Sequence, residues 1–109
     1  MTGEPQRKTR RQMLEEHVVA RPGDAFARYG LALEYMNSGE TAAAGAEFRK
    51  LLETNPEYVP GYQMYGQLLV RDSRPDEAKQ ILRVGLSVAA RKGDSHASSE
   101  MESLLAELG

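Results

Sequence analysis

From Thr9 to Leu108 the apolar residues of this chain recur with a helical period, and the pattern is clearest between Ala25 and Tyr58. Leu31, Ala32 and Tyr35 share one face of a first segment, at spacings of one and three residues. In a second segment Ala44, Phe48, Leu51 and Leu52 follow the i, i+4, i+7, i+8 order of a buried stripe. Ser38-Gly39 supplies a left-handed stop for the first segment, and Thr41 a cap for the second. Asn55-Pro56 closes the second, because the residue before a proline is driven out of the helical region. The stretch predicts two amphipathic helices joined by a tight turn.

A second hairpin follows, from Val59 to Lys92. At an offset of 34 residues, the period of one helix-turn-helix repeat class, Ala44 aligns with Ala78, Phe48 with Leu82 and Leu52 with Leu86. Ala32 likewise aligns with Gly66, and Tyr35 with Leu69. Few of these pairs are identities. What repeats is size: a small residue where two helices cross closely, and a bulky one a turn away to fill the space beside it.

Both copies resemble tetratricopeptide repeats. Leu31, Ala32, Tyr35, Gly39, Ala44, Phe48 and Pro56 match that family's pattern in the first copy, and Tyr62, Gly66, Ala78 and Leu82 match it in the second. Arg28 departs from it, standing where the family carries a bulky aromatic. Ala90 replaces the closing proline of the second copy, which lets that helix run on to Lys92. The resemblance implies an all-α fold, a short right-handed superhelical array of helix-turn-helix hairpins with about six helices. Because packing residues define the family, it implies little about function.

The flanks complete the array. Residues 1–8 are expected to be a disordered basic N-terminus, Met1 to Gln6 for want of anything to bury. Thr9 to Gln12 fits a capping box, so a helix is expected over 9–21, with a narrow stripe of Met13, Leu14, His17 and Val18. Arg21-Pro22-Gly23-Asp24 ends it, and Asp24 is placed to cap the next helix. This leading helix resembles the second half of a repeat, covering the flank of the first hairpin as solenoid ends require. At the other end Gly93 stops one helix, and Asp94 or Ser95 starts another over 94–108. There Ala97, Met101, Leu104, Leu105 and Leu108 share a face opposite Ser98, Glu102 and Ser103. That helix resembles a solubilising cap; Leu104, Leu105 and Leu108 as a dimer contact is the alternative. Residues 9–109 are thus expected to form one domain, with repeats over 25–58 and 59–92.

Composition narrows the field without deciding it. At 109 residues the chain is one domain's length, and a net charge of −2 with 28% charged residues points to no polyanionic partner. The absence of cysteine excludes disulfides and thiolate metal sites and fits a reducing compartment. No apolar run approaches the roughly 20 residues needed to cross a bilayer, so a cytoplasmic protein is expected, with no membrane partner. The initial Met and short polar termini suggest a complete chain, although a fragment would look the same. Arg7, Lys8, Arg10 and Arg11 are the one hint of an anionic partner. No aromatic is interleaved to stack on a base, so a solvated helix start is favoured over a phosphate-gripping arm and nucleic acid is disfavoured.

No constellation for chemistry is present. His17 and His96 sit on different terminal helices, without metal-ligand spacing; His17 is expected to flank the core seam and His96 to lie on the surface. There is no G-x-S-x-G, no G-x-G-x-x-G and no P-loop. Glu15-Glu16 and Asp76-Glu77 are carboxylate neighbours whose side chains diverge on a helix, and the latter suit the first turn of one. Neither an enzyme nor a cofactor is expected.

The residues that packing leaves over are more informative. Phe26, Tyr29, Leu33 and Met36 form a second stripe at i, i+3, i+7, i+10, ending beside Asn37. In the proteins this chain resembles, the first helix of each repeat lines the inside of the superhelix, where peptides or partner helices bind. The matching positions of the second copy are Pro60, Gln63, Gln67, Val70 and Arg71. The resemblance therefore implies a non-catalytic scaffold whose concave face is apolar at one end and polar at the other, for a protein or peptide partner. Burial of Phe26, Tyr29 and Met36 under the terminal helices, or a homodimer through the stripe or the last helix, are the competing expectations. The family's carboxylate clamp resembles a Lys and Asn arrangement, and Tyr29, Leu33, Gln63 and Gln67 stand in its places instead.

Overall fold

The computed structural model describes residues 7–109, so the expectation for Met1 to Gln6 lies outside the described residues. Six helices follow in order: α1 (Arg10–Ala20), α2 (Ala25–Asn37), α3 (Thr41–Thr54), α4 (Val59–Arg71), α5 (Pro75–Lys92) and α6 (Ser95–Leu108). No strand occurs among the described residues. α2 pairs with α3 and α4 with α5; α1 packs on α2, and α6 on α5 and α4. The result is a rod of 59 × 28 × 21 Å, the shape of stacked hairpins.

Local chemistry sets the helix ends. Thr9 and Gln12 form the reciprocal capping box of α1, and Asp24 and Asp94 accept from the backbone N–H groups of Ala27 and Ala97. Thr41, expected as a cap, is instead the first residue of α3, and Glu40 holds the cap position with no side-chain bond. Gly39 supplies the left-handed turn after α2, at φ 77°. The equivalent turn after α4 places Ser73 at φ 58°. The bonding is the same: Glu40 N–H donates to Tyr35 C=O at 2.9 Å and Arg74 N–H to Leu69 C=O at 2.9 Å. With Ala90 where the first repeat has Pro56, α5 extends to Lys92 and stops at left-handed Gly93.

The repeated small residues sit at the helix crossings. Ala44 and Ala78 are both fully buried, as are Phe48 and Leu82 a turn away. Ala32, Phe48, Leu51, Tyr65 and Leu69 belong to one core cluster, and Val59, Tyr62, Leu82, Val88 and Met101 to a second. A β-carbon at Gly66 would lie 2.5 Å from Leu82, and one at Gly85 2.5 Å from the Tyr62 β-carbon. Those approaches let α5 lie against α4. Arg28 is the exception in this apolar scaffold. It is 5% exposed, with Nη1 donating to Glu47 at 2.7 Å and Nη2 to the Pro22 carbonyl at 3.2 Å, while its Nε has no partner among the described residues.

Candidate protein-binding face

α2 has to satisfy α1 and α3 at once, with Tyr58 at the cap of α4 against its Tyr29, and little of its circumference is left. Ala27, Gly30 and Leu31 are buried among the side chains of α1 and α2, while Ala32 belongs to the main core. The remaining lane holds Phe26, Leu33 and Asn37, with Tyr29 on its border. Phe26 is 76% exposed, Leu33 is half-buried against the main core and Asn37 is open to solvent. Tyr29 is half-buried, its ring tilted against Tyr58 at 5.4 Å between centroids. Burial, followed by the nearby Tyr58, raises the Tyr29 phenol above its ordinary range, so it stays a neutral donor.

Met36, expected on the same stripe, is taken into the core. At 6% exposure it is not part of the accessible surface. The sequence placed it there because its spacing from Leu33 fits the stripe. On a helical wheel, however, it lies on the side of that stripe nearer Ala32, where the hairpin interior claims it.

On α4, Gln63, Gln67 and Val70 are half-buried and Pro60 and Arg71 exposed, continuing the lane in polar form. Met64, half-buried against the main core and one residue from Gln63, adds an apolar side chain that the sequence pattern did not single out. Its spacing of four from Pro60 is the signal that would have found it.

Phe26 also has neighbours that spacing alone does not reveal. With Met13, Leu14, His17 and Ala27 it lines a cleft of about 310 Å³ between α1 and the start of α2, and Met13 is itself 54% exposed. His17, expected against the core seam, is exposed; its Nε2 lies 2.8 Å from the Asp24 carboxylate. His96 is also exposed, and its Nε2 is 3.9 Å from Glu100. Among the described residues no cluster of His, Asp and Glu has a geometry to hold a metal ion, and no helix is long and apolar enough to cross a membrane.

The basic cluster is largely engaged within the fold. Lys8 pairs with Glu16 at 2.6 Å and Arg10 with Glu34 at 2.9 Å. Arg11 pairs with Glu40 and lies over the Tyr35 ring, 4.7 Å from its centroid. Tyr35 in turn donates to Glu15 at 2.7 Å, a bond that holds its phenol above the ordinary range. These contacts fasten α1 across α2 and the start of α3.

No family model matches the chain. A TPR repeat-containing protein of Pseudomonas aeruginosa is 28% identical over 95 residues, which span 87% of this chain and 90% of that protein. The solution structure of a tetratricopeptide repeat domain protein from Salinibacter ruber matches with a TM-score of 0.76 and 34% identity, covering 80% of this chain and 88% of that one. The TPR2B domain of yeast Sti1, in its pHsp70 complex, superimposes with a TM-score of 0.84 over 90% of this chain and 78% of its own. At 17% identity that likeness concerns the fold alone.

Proposed function

This chain belongs to the tetratricopeptide repeat family, and from that premise we propose that it is a non-catalytic protein–protein interaction scaffold. Its partner, a peptide or a helix, lies along the inner wall made by α2 and α4. The observation that carries this is Phe26. A phenylalanine 76% exposed, continuous with half-buried Leu33 and Tyr29, is left uncovered while α6 packs elsewhere, on α5 and α4. Burying a large apolar side chain yields about 1.5–3 kcal/mol of gross transfer free energy, which a partner realises and solvent does not.

The wall grades in chemistry along its length. Phe26, Tyr29 and Leu33 offer apolar surface; Asn37, Gln63 and Gln67 offer amide donors and acceptors; Arg71 supplies a cation. Such a surface suits a partner with an apolar anchor and a neighbouring run of backbone or amide groups. Tyr29, Leu33, Gln63 and Gln67 put no cation in the middle of the wall, so capture of a terminal carboxylate there is not part of the reading. The Sti1 domain with this fold is seen in a pHsp70 complex, which supports a protein or peptide ligand in general.

A photo-crosslinking residue at position 26 tests this, with one at the exposed Val84 of α5 as control. A discrete adduct from position 26 alone, with a second protein, is the expected result. Adducts from both positions alike, or from neither, would remove the basis for the proposal. An adduct of twice the chain's own mass would make the partner a second copy, the arrangement that exposed Met13 and Phe26 together favour; mass rising with concentration in light scattering would corroborate it.

A further inference from the structure

α4 has a second working side. Tyr65, Leu68, Leu69 and Asp72 face away from Gln63, Gln67 and Val70, given about 100° of turn per residue. With α3 they line a half-open cavity of about 440 Å³, within the range of small-molecule sites.

Two features of this cavity ask for an acceptor. Tyr65 is only 4% exposed, and its ring is fixed by stacking on Phe48 at 5.7 Å between centroids. Its hydroxyl accepts from Arg49 Nη1 at 3.3 Å, yet among the described residues it donates to nothing. One donor of a residue that lines the cavity is therefore left unused. Arg49, the other feature, lines the same cavity and has no carboxylate within ion-pair distance among the described residues. Arg74, on the rim, is already held by Glu77 at 2.6 Å and lies 3.5 Å from Asp72. Arg49 is therefore the cation at the cavity that no carboxylate holds.

The geometry points to a binding site for a monocarboxylate with a short apolar tail, separate from the α2–α4 wall. One carboxylate oxygen accepts from the Arg49 guanidinium and from the Tyr65 hydroxyl, which satisfies both groups. The tail lies on Leu68, Leu69 and Ala42, beside Gly45. Asp72 on the rim sets the charge limit, since a dianion such as phosphate would meet its carboxylate.

N-acetyl-leucine is a suitable probe, titrated into the isotope-labelled full chain and followed by the amide resonances of Ala42, Gly45 and Asp72. Saturable shifts confined to these residues are expected, with uncharged N-acetyl-leucinamide giving none. Arg49→Gln, at an exposed position of α3, should weaken binding at least tenfold. Tyr65→Phe keeps the stacking and removes only the hydroxyl, and should weaken it severalfold. Ala42→Leu, which fills the mouth from outside the core, should abolish it. A peptide ending in a free leucine separates the sources of the carboxylate: equal binding identifies a chain terminus, and binding of the acyl amino acid alone identifies a free acid. The inference is overturned by an absence of saturable shifts, by equal binding of the leucinamide, by tighter binding of inorganic phosphate, or by shifts that map to Phe26, Leu33 and Asn37.

Discussion

Replacing Glu47 by alanine isolates a charge that the fold keeps out of water. The Arg28 side chain is 6% exposed and its Nη1 is 2.7 Å from Glu47, whose own side chain is 23% exposed. Removing one member of a buried pair costs about 3–5 kcal/mol, because the other is left charged and unpaired. Glu47 reaches solvent along one edge, so the low end, about 3 kcal/mol, is the expectation for Glu47→Ala. At about 4 °C per kcal/mol for a domain near this size, thermal unfolding followed by helical circular dichroism should shift down by about 12 °C. The double replacement Arg28→Leu with Glu47→Leu should behave differently. It removes both charges and the guanidinium Nε that has no partner, and substituting apolar residues for a buried pair is commonly neutral or stabilising by about 1–4 kcal/mol. The double variant is therefore expected at or above the parent's midpoint. If Glu47→Ala costs under about 1 kcal/mol, or if the double variant falls as far as the single, Arg28 is not a desolvated charge held by Glu47 and the reasoning fails.

Three further outcomes follow from the same geometry. Ser73→Gly removes a β-carbon from a left-handed residue and should raise stability by about 1 kcal/mol in urea titration, whereas Gly39→Ser in the first repeat should lower it. Gly85→Ala gains helix propensity but brings a β-carbon to 2.5 Å from Tyr62 and 2.7 Å from Met101 Sδ, so a net loss of about 1–3 kcal/mol is expected. The Asp24 carboxyl is held below its ordinary range, first by the Ala27 backbone N–H and then by the His17 ring. A depressed carboxyl contributes stability that is present above its unfolded value and lost as pH falls through its folded one. Asp24→Asn should accordingly flatten the acid limb of a helicity-versus-pH curve, and an unchanged limb would show that the cap carries no linkage.

The hairpins were legible because their determinants are local. Asp24, Gly39, Pro56 and Gly93 mark the ends of helices, and the size pattern of Ala44, Phe48, Ala78 and Leu82 is periodic in the chain itself. What escaped depends on contacts distant in sequence. Arg28 looked like a departure from a packing pattern, and nothing near it announced Glu47 as its partner. Arg10 and Arg11 looked free because Glu34 lies on α2 and Glu40 caps α3. Met36 and Phe26 occupied one stripe by spacing, yet the hairpin core buries the first, while the cleft with α1 sets the surroundings of the second. Thr41 has the chemistry of a cap and lies one residue inside the helix. The cavity beside Arg49 and Tyr65 left no mark, since its walls come from separate helices.

A paired capture experiment bears most directly on the central claim, that the α2–α4 wall exists to hold another protein. The full chain, a Phe26→Asp variant and a Val84→Asp variant would be used as bait in the native cell, with bound protein quantified by mass spectrometry. Both substitutions lie at exposed positions and should leave helicity unchanged. A partner is expected to be retained by the parent chain and by Val84→Asp and lost from Phe26→Asp. Equal retention by all three baits, or loss from Val84→Asp alone, would contradict it.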